Sequence, residues 1–207
     1  MEVSWRSIES LWRMCGGGVV RKGDGRSEVG GARSVVKLDL DGQGDSALES
    51  GSGFLDHMLS ALARMGGIDL SAKAEGGISA QRSRALGLAL GEAIASALGD
   101  KRGIKRYGWA TAPMDEALAS TALDLSGRAY LVMKGSFAGD LVGDLPTQDV
   151  AAFLSALTEG GRITLHVRFE GENDHHKAEI IFKALGLALK EAMRTEGTLV
   201  LSTKGVL

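Results

Sequence analysis

The chain has 207 residues and a mass of 21.6 kDa, and its composition of 44% apolar and 24% charged residues is that of a folded globular protein. Its 24 basic and 26 acidic residues give a net charge of −2, which excludes a basic architectural protein and predicts that neither nucleic acid nor a membrane is a partner. The single cysteine, Cys15, excludes an internal disulfide and favours a cytoplasmic location.

The chain opens with an amphipathic segment that ends in three glycines. Residues 1–20 are interpreted as an N-terminal extension that is poorly ordered or, as an alternative, helical. In the helical alternative, apolar side chains would pack the segment on the body of the protein. These side chains are Trp5, Ile8, Leu11 and Trp12.

Beyond the extension, hydrophobic periodicity predicts alternating strands and helices. Glycines punctuate these elements, as expected at turns and helix ends. The predicted elements are a strand over 35–40, a helix over 54–65, a strand over 68–74, a helix over 84–99 and two strands within 114–133 around the turn Ser126-Gly127.

This order recurs later in the chain, which predicts an internal duplication. Half of the 18 positions over 59–76 are identical to those 95 residues further on, including LSAL at 59–62 and 154–157. ALGLAL at 85–90 returns at 184–189 with an offset of 99, which suggests a connection about four residues shorter in the first copy. The alternative is a chance match of common residues. The repeats predict a two-layer α/β domain over 21–207, with copies at about 21–110 and 111–207.

The clearest chemical motif is His175-His176-x-x-Glu179 at the predicted start of a helix. Helical spacing places His175 above Glu179, whereas His176 points about 100° away. Imidazole and carboxylate groups together suit zinc, manganese or iron. The alternative is a solvated helix start. The two remaining histidines also lie in the repeated elements, since His57 is in the predicted helix of the first copy and His166 is in the strand just before the motif. Their presence there favours the metal interpretation over a structural role for each histidine.

Several segments resemble imidazoleglycerol-phosphate dehydratases, hydro-lyases of histidine biosynthesis. The resemblance spans about residues 35–207. It is carried by GFLDHMLSALARMGGIDL, PMDEALASTALDLSGRAYL, the VGD at 142–144, LHVRFEGENDHHKAEIIFKAL and the final STKGVL. It implies a duplicated fold with left-handed crossovers and a large homo-oligomer in which two manganese ions lie at each site between subunits.

The resemblance also assigns residues to the site. It places His166 with His175 and Glu179 at one metal, and His57 with His176 at the other. A small phosphate-ester substrate would be held by groups that suit phosphate recognition. These groups are Arg106, Arg128, Ser202 and Lys204.

The first copy departs from the family pattern, because the family has a second histidine pair with glutamate there. One register puts Ala80, Gln81 and Arg84 at these positions, and a shift of one helical turn puts Gly76, Gly77 and Ala80 there. Neither register restores a ligand.

Two further family positions are also changed. A glutamine and a histidine of the first long helix are Ala61 and Met65, and the glutamate of the N-terminal arm is Gly30 or Gly31. Fewer than two metal ions per chain are therefore expected, manganese or alternatively zinc. The sequence leaves two hypotheses: an impaired hydro-lyase with Glu179 as its catalytic carboxylate, or a non-catalytic paralogue that binds a phosphate ligand or serves as a structural subunit.

Overall fold

Ten strands and four helices lie within residues 21–202, the part of the chain that the computed structural model describes. The N-terminal extension and Lys204 lie outside these residues. The first half contains β1 (Lys22–Val29), β2 (Ala32–Asp39), β3 (Ser46–Glu49), α1 (Gly53–Gly66), β4 (Asp69–Glu75) and α2 (Ser79–Leu98). The second half contains β5 (Tyr107–Met114), β6 (Ala117–Asp124), β7 (Tyr130–Lys134), β8 (Leu141–Val142), β9 (Leu145–Pro146), α3 (Thr147–Gly161), β10 (Thr164–Glu170) and α4 (Asp174–Ala192).

The two halves have the same sheet topology. The strand orders are β1-β2-β4-β3 and β5-β6-β10-β7, and in each sheet the last two strands are parallel and joined through a helix. Helix α2 packs on β1, β2 and α3, while α4 packs on β5, β6 and α1. The helices therefore lie between the sheets, and the predicted α/β class is confirmed. No helix within residues 21–202 combines the length and apolarity needed to cross a membrane.

Alternating side chains explain why one face of each sheet is covered by helices. On β2, Val36 and Leu38 are buried, and on β10, Leu165 and Val167 are buried while His166 is exposed. Removing such apolar side chains from water contributes about 1.5–3 kcal/mol each. The inward-facing side chains of the strands therefore form the core with the helices, while His166 lies on the outer face of the second sheet.

Strand β1 was not predicted, because its glycines are typical of a loop. A Cβ atom at Gly23 would lie 2.1 Å from the carbonyl oxygen of Ala93 on α2, and one at Gly25 would lie 2.0 Å from that of Ala89. These glycines therefore let the helix backbone lie directly on the strand.

Close contacts between helices establish which helical residues are equivalent in the two halves. A Cβ atom at Gly91 of α2 would lie 2.4 Å from the carbonyl oxygen of Leu157, and one at Gly186 of α4 would lie 2.5 Å from that of Leu62. Gly91 and Gly186, like Leu62 and Leu157, are 95 residues apart in the chain. The helices therefore align with the same offset as the rest of the duplication.

The expected four-residue shortening of the first copy is wrong. The connections 76–78 and 171–173 have equal length, and α2 and α4 have 20 and 19 residues. The ALGLAL segments match only after a slip of one helical turn, because closely packed helices require similar small and apolar residues on successive turns. The structure thus selects the register in which Ala80, Gln81 and Arg84 are equivalent to His175, His176 and Glu179.

Candidate metal and substrate site

Helix α1 presents His57 one turn after a doubly capped N-terminus. The Ser52 hydroxyl accepts a hydrogen bond from the Leu55 amide at 3.2 Å and donates one to Asp144 Oδ1 at 2.6 Å. Asp144 Oδ2 accepts from the Gly53 amide at 2.7 Å. These bonds satisfy amides that would otherwise lack partners at the helix end, and so fix the turn that carries His57.

Helix α4 begins equally firmly at the histidine pair. Asn173 caps it by accepting a hydrogen bond from the His175 amide at 2.8 Å. Asp174 accepts from the amides of Ala138 and Gly139 and forms an ion pair with the buried Lys177. The start of α4 is therefore bound to the loop that follows β7.

Three side chains converge between these two helix starts. Glu179 Oε2 lies 3.2 Å from His175 Nε2 and 3.3 Å from His57 Nε2. The candidate ligand atoms all lie within 4.8 Å of one another, and the histidines are exposed while Glu179 is buried. Two imidazoles and a carboxylate at these separations fit a transition-metal site with open coordination positions. Within the described part of the chain this is the one such group.

The carboxylate of Glu179 is kept ionised by its neighbours. Burial alone would raise its pKa, but the Lys183 ammonium at 2.8 Å from Oε1, together with His57, brings the pKa below its ordinary value. The two oxygens thus face different groups, since Oε2 points to the histidines and Oε1 to the lysine. An ionised carboxylate can bind a cation or accept a proton.

His176 lies outside this cluster, as the helical spacing predicts. Its Nδ1 is 2.8 Å from Glu116 Oε2, and its Nε2 is 3.8 Å from Asp115 Oδ2. The hydrogen bond to Glu116 raises the pKa of His176, and the same bond lowers the pKa of Glu116 to about 2. Within one chain His57 therefore lies with His175 and Glu179, whereas the resemblance pairs it with His176.

His166 is separated from the other three histidines. It lies on the exposed outer face of β10, in a row formed by Trp109, Ala122 and Val132 on the neighbouring strands. It does not belong to the cluster around Glu179.

The equivalent position in the first half contains no ligand set. Ala80 and Ala152 stand where the second-half site has His175 and His57. The Arg84 guanidinium donates to Glu159 Oε2 at 2.6 Å, which links α2 to α3. Gln81 Oε1 accepts from the Ile78 amide and serves as a helix cap. The first-half positions equivalent to the second-half ligands thus contain an ion pair and a cap.

Arg106, which is predicted to bind the substrate phosphate, lies near the C-terminal end of α4. Its guanidinium donates to both oxygens of Asp124, at 2.7 and 3.1 Å, and to the Leu201 carbonyl. The hydrogen bond from Arg106 to Asp124 also raises the pKa of the arginine. Its amide donates to the carbonyl of Ala192, the last residue of α4. The guanidinium is therefore oriented by Asp124 with part of its donor capacity remaining.

The other residues that are predicted to bind phosphate lie near the same end of α4 or outside the described residues. Arg128 is exposed in the turn after β6, and Thr164 at the start of β10 donates to its carbonyl. The amide of Ser202 donates to the Val200 carbonyl. Glu179 precedes Ala192 by 13 residues, about 20 Å along α4, so the candidate metal ligands and Arg106 lie far apart within one chain.

Comparison with known proteins identifies the family. The family model described as imidazoleglycerol-phosphate dehydratase matches residues 50–189. The imidazoleglycerol-phosphate dehydratase of Methanococcoides burtonii is 46% identical over 175 residues, covering 83% of this chain and 92% of that protein. This chain belongs to the imidazoleglycerol-phosphate dehydratase family.

Solved dehydratase structures share the fold. The Pyrococcus furiosus structure has a TM-score of 0.78 and 32% identity, covering 88% of this chain and 99% of its own. The Staphylococcus aureus structure has a TM-score of 0.75 and 32% identity, covering 83% and 99%. The duplicated sheet-and-helix architecture is therefore that of the dehydratase family.

Three polar residues of this dehydratase-family chain were not predicted to contribute to the site. Glu116 and Asp144 occur in the segments that carry the resemblance, but their partners lie far away in sequence. Lys183 follows Glu179 by one helical turn, a spacing at which oppositely charged side chains meet. That spacing alone could have revealed Lys183.

Proposed function

We propose that the chain is a hydro-lyase of the imidazoleglycerol-phosphate dehydratase type. Its turnover would be well below that of an enzyme that has the histidine pair and the glutamate in both halves. One observation carries this proposal. The cluster His57, His175 and Glu179 is intact, while the equivalent first-half positions hold alanine and an ion-paired arginine. The substrate would be imidazoleglycerol phosphate or a closely related phosphate ester.

The cluster would hold manganese, with zinc as the alternative ion, at about one ion per chain. Its donor set of two imidazoles and one carboxylate fits either metal. His166 and His176 would add ligands only where another subunit brings its own groups to them. When bound, the ion supplies Lewis acidity toward the imidazole of the substrate.

Glu179 would serve the reaction as a carboxylate held ionised beside Lys183. Dehydration breaks a C–H bond and a C–O bond of the glycerol chain, with the proton passing to a base and the hydroxyl leaving as water. A carboxylate directed at the substrate can accept that proton, and the adjacent ammonium can return one. Arg106 and Arg128 would neutralise the phosphate and orient the chain.

The complete site would form between subunits of a large homo-oligomer. The cluster and Arg106 lie toward opposite ends of α4, because Glu179 and Ala192 are 13 residues apart, about 20 Å along the helix, so one small substrate cannot contact both in a single chain. A neighbouring subunit would bring its phosphate-binding residues to the cluster. Residues 21–207 of each subunit would form one domain, in which the two internal repeats meet near residue 110. The assembly would be located in the cytoplasm.

The second candidate is a non-catalytic paralogue that keeps the phosphate pocket and the assembly surfaces. The ion pair between Arg84 and Glu159 favours this candidate, because Arg84 stands at the position equivalent to Glu179 and makes a structural contact between α2 and α3 there. Binding without turnover is expected when ground-state contacts survive and groups that stabilise the transition state are lost.

Metal analysis of the purified full chain combined with a dehydration assay tests the proposal. About one manganese or zinc per chain and slow dehydration of imidazoleglycerol phosphate support it. Binding of the substrate with no detectable turnover supports the paralogue. An ordinary enzyme rate, about 1–1,000 per second, contradicts impairment.

A further inference from the structure

Glu116 is held in place independently of the histidine it faces. It lies in the turn between β5 and β6, where its Oε1 accepts hydrogen bonds from the amides of Asn173 at 2.8 Å and Glu172 at 3.2 Å. Its Oε2 is thereby directed at His176 Nδ1, at 2.8 Å. Since two backbone amides fix one oxygen, the orientation of the other is set before any metal binds.

This arrangement determines which nitrogen of His176 carries a proton. An ionised carboxylate only accepts hydrogen bonds, so Nδ1 must carry the hydrogen that faces Glu116. Asp115, the acidic neighbour of Nε2, lies 3.8 Å away on a side chain that is 75% exposed, beyond hydrogen-bond distance. In the neutral ring, Nε2 therefore keeps its lone pair.

We propose that Glu116 is a positioning residue that fixes His176 in the Nδ1-protonated tautomer and so presents Nε2 as a metal ligand. The inference rests on the proposed function in one respect, namely that His176 binds metal in the assembled protein. Histidines that bind metals commonly donate their second N–H to a carboxylate, and loss of that partner typically lowers metal affinity about 10- to 100-fold.

Glu116→Gln separates this role from a merely structural one. The amides of Glu172 and Asn173 donate to Oε1, and an NH₂ group cannot accept these bonds, so the glutamine carbonyl oxygen would replace Oε1 and its NH₂ group would replace Oε2. The NH₂ group would then donate to Nδ1, which moves the ring proton of His176 to Nε2. The loop contacts are retained while the tautomer is reversed.

The experiment uses the full-length protein and two measurements. In metal-free protein at alkaline pH, where imidazoles are neutral, ¹⁵N NMR of histidine-labelled samples reports the tautomer, and His176→Ala assigns the signal. Titration with Mn²⁺ alone gives the metal affinity. Glu170→Gln is the matched control, because Glu170 is an exposed carboxylate at the end of β10.

We expect Nδ1–H in the unchanged protein and in Glu170→Gln, Nε2–H in Glu116→Gln, and an affinity for Mn²⁺ that is about 10- to 100-fold weaker in Glu116→Gln alone. An unchanged tautomer in Glu116→Gln overturns the inference. So does normal Mn²⁺ affinity in Glu116→Gln when His176→Ala binds weakly.

If His176→Ala leaves Mn²⁺ binding intact, His176 is not a ligand and the inference fails. The proposed function is then judged separately by Glu179→Gln. Loss of Mn²⁺ binding in Glu179→Gln supports the proposed metal site around Glu179, whereas unchanged Mn²⁺ binding contradicts it.

Discussion

Asp144 in the second half of the chain accepts a 2.6 Å hydrogen bond from the hydroxyl of Ser52 in the first half. The same carboxylate accepts bonds from the amides of Gly53 and Phe54 at the start of α1. A side chain of one half thus caps the helix that carries His57 in the other. The cap therefore makes the position of His57, a candidate metal ligand, depend on the contact between the halves.

Replacing Asp144 with Ala should lower the free energy of unfolding by about 1–2 kcal/mol, because three donors at the start of α1 lose their acceptor. Chemical denaturation measures this change. Asp140→Ala is the control, since Asp140 is exposed in the same segment. Equal effects of the two substitutions would contradict the capping role.

Asp144 should also contribute to acid sensitivity. Its hydrogen bond from Ser52 is the largest cause that lowers its pKa below the ordinary value. The contribution is therefore fully present above the unfolded-state pKa and is lost as pH falls through the folded-state pKa. Stability curves against pH should show a shallower acid limb in Asp144→Asn. A limb identical to that of the unchanged protein would refute this assignment.

Metal content should follow the retained ligands. The purified chain should contain about one manganese or zinc, and His175→Ala should lose most of it, because the cluster then keeps only His57 and Glu179. Elemental analysis after dialysis measures both. Two tightly held ions per chain would mean that other groups replace the missing first-half ligands.

Restoring the first-half motif should add a second metal. The substitutions Ala80→His, Gln81→His and Arg84→Glu recreate it without a loop insertion, because the connections before α2 and α4 are equally long. Arg84 now pairs with Glu159, so a glutamate at 84 would face a like charge unless Glu159→Gln is included.

Ala152→His is included as well, because Ala152 is equivalent to His57 of the cluster. The fivefold variant should hold about two metals and dehydrate the substrate at least about tenfold faster. Elemental analysis and the dehydration assay measure these outcomes, and Glu159→Gln alone serves as the control. Unchanged metal content in the fivefold variant would show that these substituted positions do not account for the absence of a second metal.

The chain should form a large oligomer at neutral pH. On the outer face of the second sheet, Tyr107 is 49%, Trp109 61% and Tyr130 64% exposed, an unusual set of large side chains to leave in water. Light scattering should show a multiple of the chain mass, and Trp109→Ser should weaken association. A monomeric mass over a broad concentration range would contradict this expectation.

Phosphate-ester binding should survive better than catalysis. Arg106 is oriented by Asp124, and a phosphate contact stabilises ground and transition states alike, so it supports affinity without raising turnover. Calorimetry should detect binding of imidazoleglycerol phosphate and weaker binding by Lys204→Ala. Lys134→Ala at the other end of the second sheet is the control. Equal affinities for both variants would exclude Lys204 from the phosphate site.

Local patterns predicted much of the fold because they report local physics. The helix over 54–65 was recognised from its apolar period and terminal glycines, and α1 extends over Gly53–Gly66. Strand β1 was missed because Gly23 and Gly25 serve close packing against α2, a contact made only after folding. The ALGLAL match misled for a related reason, since packed helices repeat small residues from turn to turn.

The site shows the same division. The spacing of His175 and Glu179 places them together on any helix, and the structure has them 3.2 Å apart. His57 joins them through the packing of α1 on α4, which no spacing in the sequence reveals. Glu116 is also distant in sequence from His176, so its contact depends on how the sheet is assembled.

The smallest side chain in the protein sets the width of the candidate metal cluster. Gly186 lets α4 approach α1 so closely that an added methyl group would lie 2.5 Å from the Leu62 carbonyl. Any larger residue would move the two helices apart, and with them His57 and Glu179, which now lie 3.3 Å from each other. A position with no chemistry of its own therefore acts as a spacer for the ligands.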